Sequence, residues 1–331
     1  MAAPRLLIPF KLNAAELHAS RIDAPVRRFA GATMGTGCSL SYAAPASISD
    51  AAIEAAISEA CGEVIAQMSG WEHDSALSRF NRAPPGWREI PRYFAIVLKR
   101  ALEIAELTDG AYDPALGHAV EALGFGPSGV AGATALKMPA GSDKGWRDIR
   151  LDLSNMRVYQ PGGVALDLSS IAKGYAIDLC AERLKALGVP SFLVEIGGEF
   201  VGRGVKPDAQ PWWVELELSD LAPVADEPDK TDVALVNLAV ATSGDFVRRR
   251  EGVSHLLDGR TRAPATSDLS GVAVIAESAM EADGWATALF ALGPEQGMAM
   301  AEAQGLAALF SLRTREGARM FFSTAAQKML G

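Results

Sequence analysis

An acidic residue, two hydroxyls, a lysine and a helical pattern follow one another without a break in LDLSSIAKGYAID (Leu166 to Asp178), and a second segment, LVEIGGEF (Leu193 to Phe200), closes an apolar run on two glycines. The spacing predicts a short strand over Val164 to Leu168. A helix follows, capped by Ser169 or Ser170, with Ile171, Tyr175, Ile177, Leu179, Leu184 and Leu187 mostly on one buried stripe, Gly188 ending it and Pro190 beyond. The first turn of such a helix offers free backbone N–H groups and the positive end of the dipole, so phosphate oxygens are welcome there, and Lys173 adds a cation. Asp167 stands where it can accept from a polar ring or a ribose. Taken singly, the segment also reads as an ordinary capped helix with a solvated lysine. Its meaning depends on what accompanies it.

The rest of the chain predicts an alternating α+β layout. Ser47 to Met68 and Arg92 to Thr108 space their apolar residues at three and four, as amphipathic helices do, with Ser49 or Asp50 capping the first. Strands are expected at Ile149 to Leu153, Val164 to Leu168, Phe192 to Ile196, Trp212 to Leu218, Ala234 to Ala241, Gly271 to Ala276, Leu306 to Leu312 and Ala318 to Ser323. Two stretches rich in loop residues, Pro127 to Gly145 and the acidic Ser219 to Asp232, read as surface insertions. With 331 residues, 49% of them apolar, the chain can bury a large core as one domain or two intimate lobes. A single domain over residues 29–331, after an irregular leader 1–28, is the expectation.

A net charge of -9 argues against a general nucleic-acid or anionic-membrane surface, and Arg248 to Arg250, the densest basic run, reads as a solvated face. An acidic protein that binds a phosphorylated ligand therefore needs local cations. Cys38, Cys61 and Cys180 lie far apart with no zinc-type or disulfide-framework spacing and read as core residues. Asp283 and Thr287, four apart on one helical face in MEADGWATALF, could both reach a hard cation, although an acid and a threonine on one helix are commonplace.

Seven motifs, in register from about Phe29 to about Gly293, resemble the ApbE family of FAD:protein FMN transferases: ATMGTGCSL (Ala32 to Leu40), MSGWEHDSALSRFNR (Met68 to Arg82), DGAYDPALGHAVEALGFGP (Asp109 to Pro127), the DLSSIAKGYAID and VEIGGE pair, AVATSGDF (Ala239 to Phe246), VSHLLDGRT (Val253 to Thr261) and AMEADGWATALFALG (Ala279 to Gly293). The resemblance implies an ApbE-like α+β fold, related to the T-fold, with mixed, largely antiparallel sheets packed with helices and an FAD cleft between two intimate lobes. It implies FAD as substrate, Mg²⁺ as metal, and an acceptor flavoprotein whose Thr or Ser hydroxyl takes FMN while AMP leaves. FAD binding then falls on Met34, Trp71, Ala111, Tyr112, Asp113, Asp167, Lys173 and Leu257, and the metal on Ser170, Asp283, Ala286 and Thr287. Met34 and Trp71 can pack against flat ring systems. His255 is implied as general base; His18, His73 and His118 have no assignable proton-transfer role.

Two departures from the family pattern stand out. The family usually continues Asp-Pro-Arg-Thr-Gly after that histidine, whereas this chain has Asp258, Gly259, Arg260, Thr261 and Arg262. Gly259 is expected to loosen the turn, and Arg262 places a side chain where a glycine permits positive φ. The alternatives to transfer are an Mg-dependent pyrophosphatase cutting FAD to FMN and AMP, and a non-catalytic flavin-binding protein. Many family members are exported, but LLIPF (Leu6 to Phe10) is too short for a secretory signal and no lipobox cysteine precedes Cys38, so a cytoplasmic location is expected, with the periplasm as runner-up.

Overall fold

The central sheet has eight antiparallel strands whose order in space is their order along the chain: β1 (Arg27–Thr33), β2 (Thr36–Ala43), β3 (Ser191–Ile196), β4 (Glu199–Arg203), β5 (Leu238–Gly244), β6 (Leu269–Ala276), β7 (Ala307–Arg313) and β8 (Ala318–Phe322). The computed structural model describes residues 4–9, 17–18, 20–129, 145–246, 249–250 and 253–331. Both sheet faces are covered, which is why β6 is a continuous apolar run: Val272 and Val274 enter the main core, Ala273 and Ile275 the second.

The main core is roofed by α1 (Asp50–Met68), α2 (Arg92–Leu107) and α3 (Ala172–Ala186), all within the residues joining β2 to β3, and by α4 (Ala279–Leu292), which with α5 (Pro294–Gln304) joins β6 to β7. The second core lies under a three-stranded sheet of Arg5–Leu7, Thr231–Leu235 and Trp212–Glu215. Among the described residues, no helix is long and apolar enough to cross a membrane.

Helices α3 and α4 are locked by exchanged carboxylates. No side chain of its own caps α3; instead Asp283 of α4 accepts from the Gly174 N–H at 2.9 Å. Asp178 of α3 in turn accepts from the N–H groups of Ala279 (2.8 Å) and Met280 (2.9 Å) at the start of α4, where Ser278 also donates to it. Each satisfies orphan donors of a helix start and is worth about 1 kcal/mol as a cap. The crossing is close enough that a Cβ on Gly174 would stand 2.2 Å from the Ala279 carbonyl oxygen. Arg100 of α2 grips Glu281 with two bonds of 2.7 Å and fixes α4 from the other side.

Several sequence expectations are corrected. Residues 164–168 form no strand beyond an isolated bridge of Ala165 to Leu116, because the segment spends its polar groups on loops: Asn81 bonds Leu166 at both its N–H and its carbonyl. The helix begins at Ala172, not at a serine cap; Asp167 takes the Ser169 N–H into a local turn, and Ser170 donates to Tyr112. Leu187 of the expected stripe is 39% exposed. The single strand expected at 234–241 is two, split at Asn237 with φ 56°. Met34 and Gly35 form the two-residue turn between β1 and β2, with φ of 51° and 75°.

The 1–28 segment is not irregular throughout, since Arg5–Leu7 pairs in parallel with Thr231–Val233 and buries Leu7 completely. Of the two expected insertions, residues 130–144 lie outside the described residues. The 219–232 stretch is pinned by Pro223 and Val224 against Ala318 and ends as a strand. Cys61 and Cys180 are core residues, but Cys38 is only half-buried.

Gly174→Ala is expected to destabilise the chain by about 1–3 kcal/mol, because the new methyl meets backbone. The control is Gly62→Ala in α1, where a Cβ meets nothing within 4 Å, with an expected gain of about 0.5–1 kcal/mol. Urea unfolding of both variants against wild type checks the pair.

Candidate functional site

The seven motifs are distant in sequence and joined in space. Asn81 holds Leu166, and the Asp167 N–H donates to the Pro114 carbonyl at 2.8 Å, so the SRFN segment and the Ala-Tyr-Asp-Pro loop both brace the approach to α3. Ser170 donates to the Tyr112 hydroxyl at 3.0 Å. Tyr112 is otherwise enclosed, and burial pushes its phenol well above the usual range. The segment after His255 docks on the same loop: the Gly259 N–H donates to the Ala111 carbonyl at 2.9 Å. Leu257 is buried with Leu116 and Ala119. The His255 ring meets the Phe125 ring edge-on at 6.1 Å.

Burial also raises the Asp113 carboxyl, opposed by the Ala115 N–H and by Arg262. Asp167 is half-buried, and Trp71 is 57% exposed, a large flat surface left open to solvent. Met34 packs on the edge of the main core.

At the N-terminus of α3, Lys173 pairs with Glu199, which sits 3% exposed at the start of β4. Asp283 lies just beyond, 4% exposed. Burial lifts the pKa of both carboxyls, that of Glu199 to about 8, while the Lys173 ammonium pulls each of them down. Burial alone would lower Lys173, but Glu199 and Asp283 outweigh it and its pKa ends raised. Two buried carboxyls therefore share one ammonium, and among the described residues Glu199 Oε2 finds no hydrogen-bond partner.

One turn along α4 from Asp283, Thr287 exchanges a hydrogen bond with Ser243 of β5 at 3.0 Å, and Ala286 beside it is fully buried. A carboxylate with one oxygen on the Gly174 N–H, a helical turn from hydroxyl oxygens, is a donor set for a hard cation that completes its shell with water and substrate phosphates. Among the described residues, no group of three or more His, Cys, Asp or Glu is placed to hold a metal by itself. The cavity of about 120 Å³ lined by Asp258, Arg260, Thr261 and the end of α4 includes none of the assigned residues.

Glu199 and Ser243 were not singled out by the sequence reading. The signal for Glu199 is the Gly197-Gly198 turn, with φ of 66° and 96°, which returns the chain so that Glu199 pairs with Ile196 and is buried against α3. The two departures also resolve. Gly259 does not loosen its turn: a Cβ there would lie 2.3 Å from the Gly110 carbonyl oxygen, and a proline would lack the N–H that Ala111 accepts. Arg262 adopts φ 56°, the left-handed conformation expected at that position.

A lysine at a helix start is one of the means by which proteins hold phosphorylated ligands, and a buried carboxylate beside it suits the cation that accompanies them. The ApbE family model matches residues 34–310, and the chain belongs to the ApbE family. A Vibrio cholerae FAD:protein FMN transferase is 31% identical over 310 residues, 91% of each chain. Its Haemophilus influenzae counterpart is 32% identical over 339 residues, covering 96% of this chain and 95% of the relative. The crystal structure of Pseudomonas stutzeri flavinyl transferase ApbE in its apo form superposes with a TM-score of 0.83 at 32% identity, over 93% of this chain and 98% of that one. Flavin transferase ApbE from Vibrio cholerae gives 0.82 at 31%, over 92% and 100%.

The raised Glu199 pKa has a sign that can be tested. The folded chain prefers the protonated acid, so this group's contribution to stability is full below the ordinary value of 4.5 and is lost as pH rises towards about 8. Glu199→Gln is expected to flatten that part of the stability profile of the ligand-free protein, and melting temperatures taken between pH 4.5 and 8 would check it. A parallel profile would remove the assignment.

Proposed function

We propose that this chain transfers FMN from FAD to a Thr or Ser hydroxyl of an acceptor protein, with AMP leaving, in a reaction that requires a divalent cation. The observation that carries the reading is the corner at the start of α3, where the buried Asp283 holds the Gly174 N–H, Lys173 pairs with Glu199, and the Thr287 hydroxyl lies one turn along α4 from Asp283. The flavin-transferase names of relatives matching over nine-tenths of the chain support it.

The first turn of α3 does not offer the free N–H groups its sequence suggests, since those of Ala172, Gly174 and Tyr175 are bonded within the chain, so Lys173 takes the charge of the pyrophosphate, Asp167 accepts from a ring or ribose donor, and Met34 and the exposed Trp71 lie against flat rings. The Ala111, Tyr112 and Asp113 loop and Leu257 form the wall that the latch at Gly259 holds in place. Asp283 and Thr287, with Ser170 and the Ala286 carbonyl, would hold the cation. Oxygen donors of this kind suit Mg²⁺, which when bound draws charge off the pyrophosphate and favours in-line displacement. The acceptor hydroxyl oxygen attacks the phosphorus that carries FMN, its proton moves to the His255 imidazole, and the bond from that phosphorus to the oxygen of AMP breaks. An imidazole suits the step because its pKa lies near neutrality.

The test is to incubate the chain with FAD, Mg²⁺ and a redox subunit bearing a candidate Thr or Ser, and to weigh the acceptor. A gain equal to FMN is expected; flavin released only into solution would instead favour hydrolysis. His255→Ala should lower transfer by about 10²- to 10⁴-fold with FAD still bound. Chelation should abolish transfer in the wild type and added Mg²⁺ restore it. Asp283→Ala should not be rescued by Mg²⁺. Because Asp283 also caps α3, Thr287→Val, which leaves that cap intact, is the second variant; full activity in it would remove Thr287 from the metal site.

A further inference from the structure

Where α1 crosses α3, the Cys61 and Cys180 sulfurs lie 3.8 Å apart, both buried in the main core. The proposed transfer uses neither. The crossing is in fixed register, because Arg183, one turn beyond Cys180, bonds Glu63 at 2.7 Å. A disulfide needs the two sulfurs about 2.0 Å apart, which asks this pair to close by less than the width of an atom.

We propose that Cys61 and Cys180 are a latent disulfide site, closed by a hydroperoxide, that staples α1 to α3. In the first step the Cys61 thiolate attacks the terminal peroxide oxygen, the O–O bond breaks, and the oxygen left behind takes a proton and departs as alcohol or water. In the second, the Cys180 sulfur attacks the sulfenic sulfur of Cys61, the S–O bond breaks, and water leaves with the Cys180 proton. Two electrons pass from the two sulfurs to the peroxide.

The roles within the pair follow from their surroundings. The hydrogen bond from Cys180, aided by the Thr33 hydroxyl, brings Cys61 down to about 7, so it is the thiol that ionises and attacks first. Cys180 goes the other way, raised by the same bond and by burial, and keeps its proton until the second step. The staple would hold α1 to α3, the helix that carries Lys173 and Gly174 on its first turn, and its Cys61 end lies against Thr33, the residue before Met34.

The test treats the native wild-type chain with a modest excess of hydrogen peroxide and then digests it under non-reducing conditions. Expected are an intact-mass loss of about 2 Da, for the two thiol hydrogens, a linked peptide pair containing Cys61 and Cys180, and a melting temperature raised by several degrees and returned by dithiothreitol. The chain closed by the bond spans the 119 positions separating the two cysteines, and a long loop gains most from closure. The link should persist in Cys38→Ser and be absent from both Cys61→Ser and Cys180→Ala. Oxygen addition at Cys38 alone, a link involving Cys38, or a link formed only after unfolding would overturn the proposal. Because the readout contains no flavin, its failure would leave the transfer reading standing.

Discussion

Helices α3 and α4 each begin where the other supplies a carboxylate, and the rest of the site takes its position from that exchange. Asp178 holds the first N–H groups of α4, and Asp283 holds the Gly174 N–H near the start of α3. Neither helix can slide or rotate without stranding buried donors, which costs more than the bonds are worth when made. Gly174 permits the approach, and the Arg100 to Glu281 pair closes the remaining freedom of α4. Lys173, one residue from the contact, is thereby aimed at Glu199, and Thr287, one turn from Asp283, at Ser243.

This construction gives Asp283 a structural duty beside the metal role proposed for it. One of its oxygens is structural, and the assigned metal role falls on what is left. The same economy places two buried carboxyls beside one ammonium, an arrangement that burial disfavours and that an incoming cation would relieve. A ligand-free chain therefore carries at this corner an electrostatic load that its ligands would remove. Stability and affinity are coupled at one place.

Much of this was legible in the sequence, and the gaps have physical causes. The long amphipathic helices were clear because their periodicity reports one buried face; α1 begins at the Ser49 cap that its pattern indicates. Strands with both faces covered were found as apolar runs, whereas β1, with its exposed and polar positions, gave no such signal. The serine cap of α3 failed because capping rules are local, and the acceptor that satisfies the Gly174 N–H comes from a residue 109 positions away. Glu199 was passed over for the same reason. Nothing in an isolated acid after two glycines says that its partner is a lysine on another element. Gly259 was misread because flexibility was inferred where the requirement is close contact with Gly110 and Asp113.

Strands β2 and β3 pair residue for residue, Cys38 with Ile196 through Ala43 with Ser191, although residues 44–190 lie between them. A hairpin whose tip holds three long helices cannot zip from its turn. Its two legs meet only after the intervening chain has collapsed into something small enough to span their separation, since closing so long a loop gains nothing until the contacts inside it form. Completion of the central sheet and assembly of the pocket walls are then one event in the chain's maturation, and a molecule caught with its sheet divided between β2 and β3 would also be one that has no site.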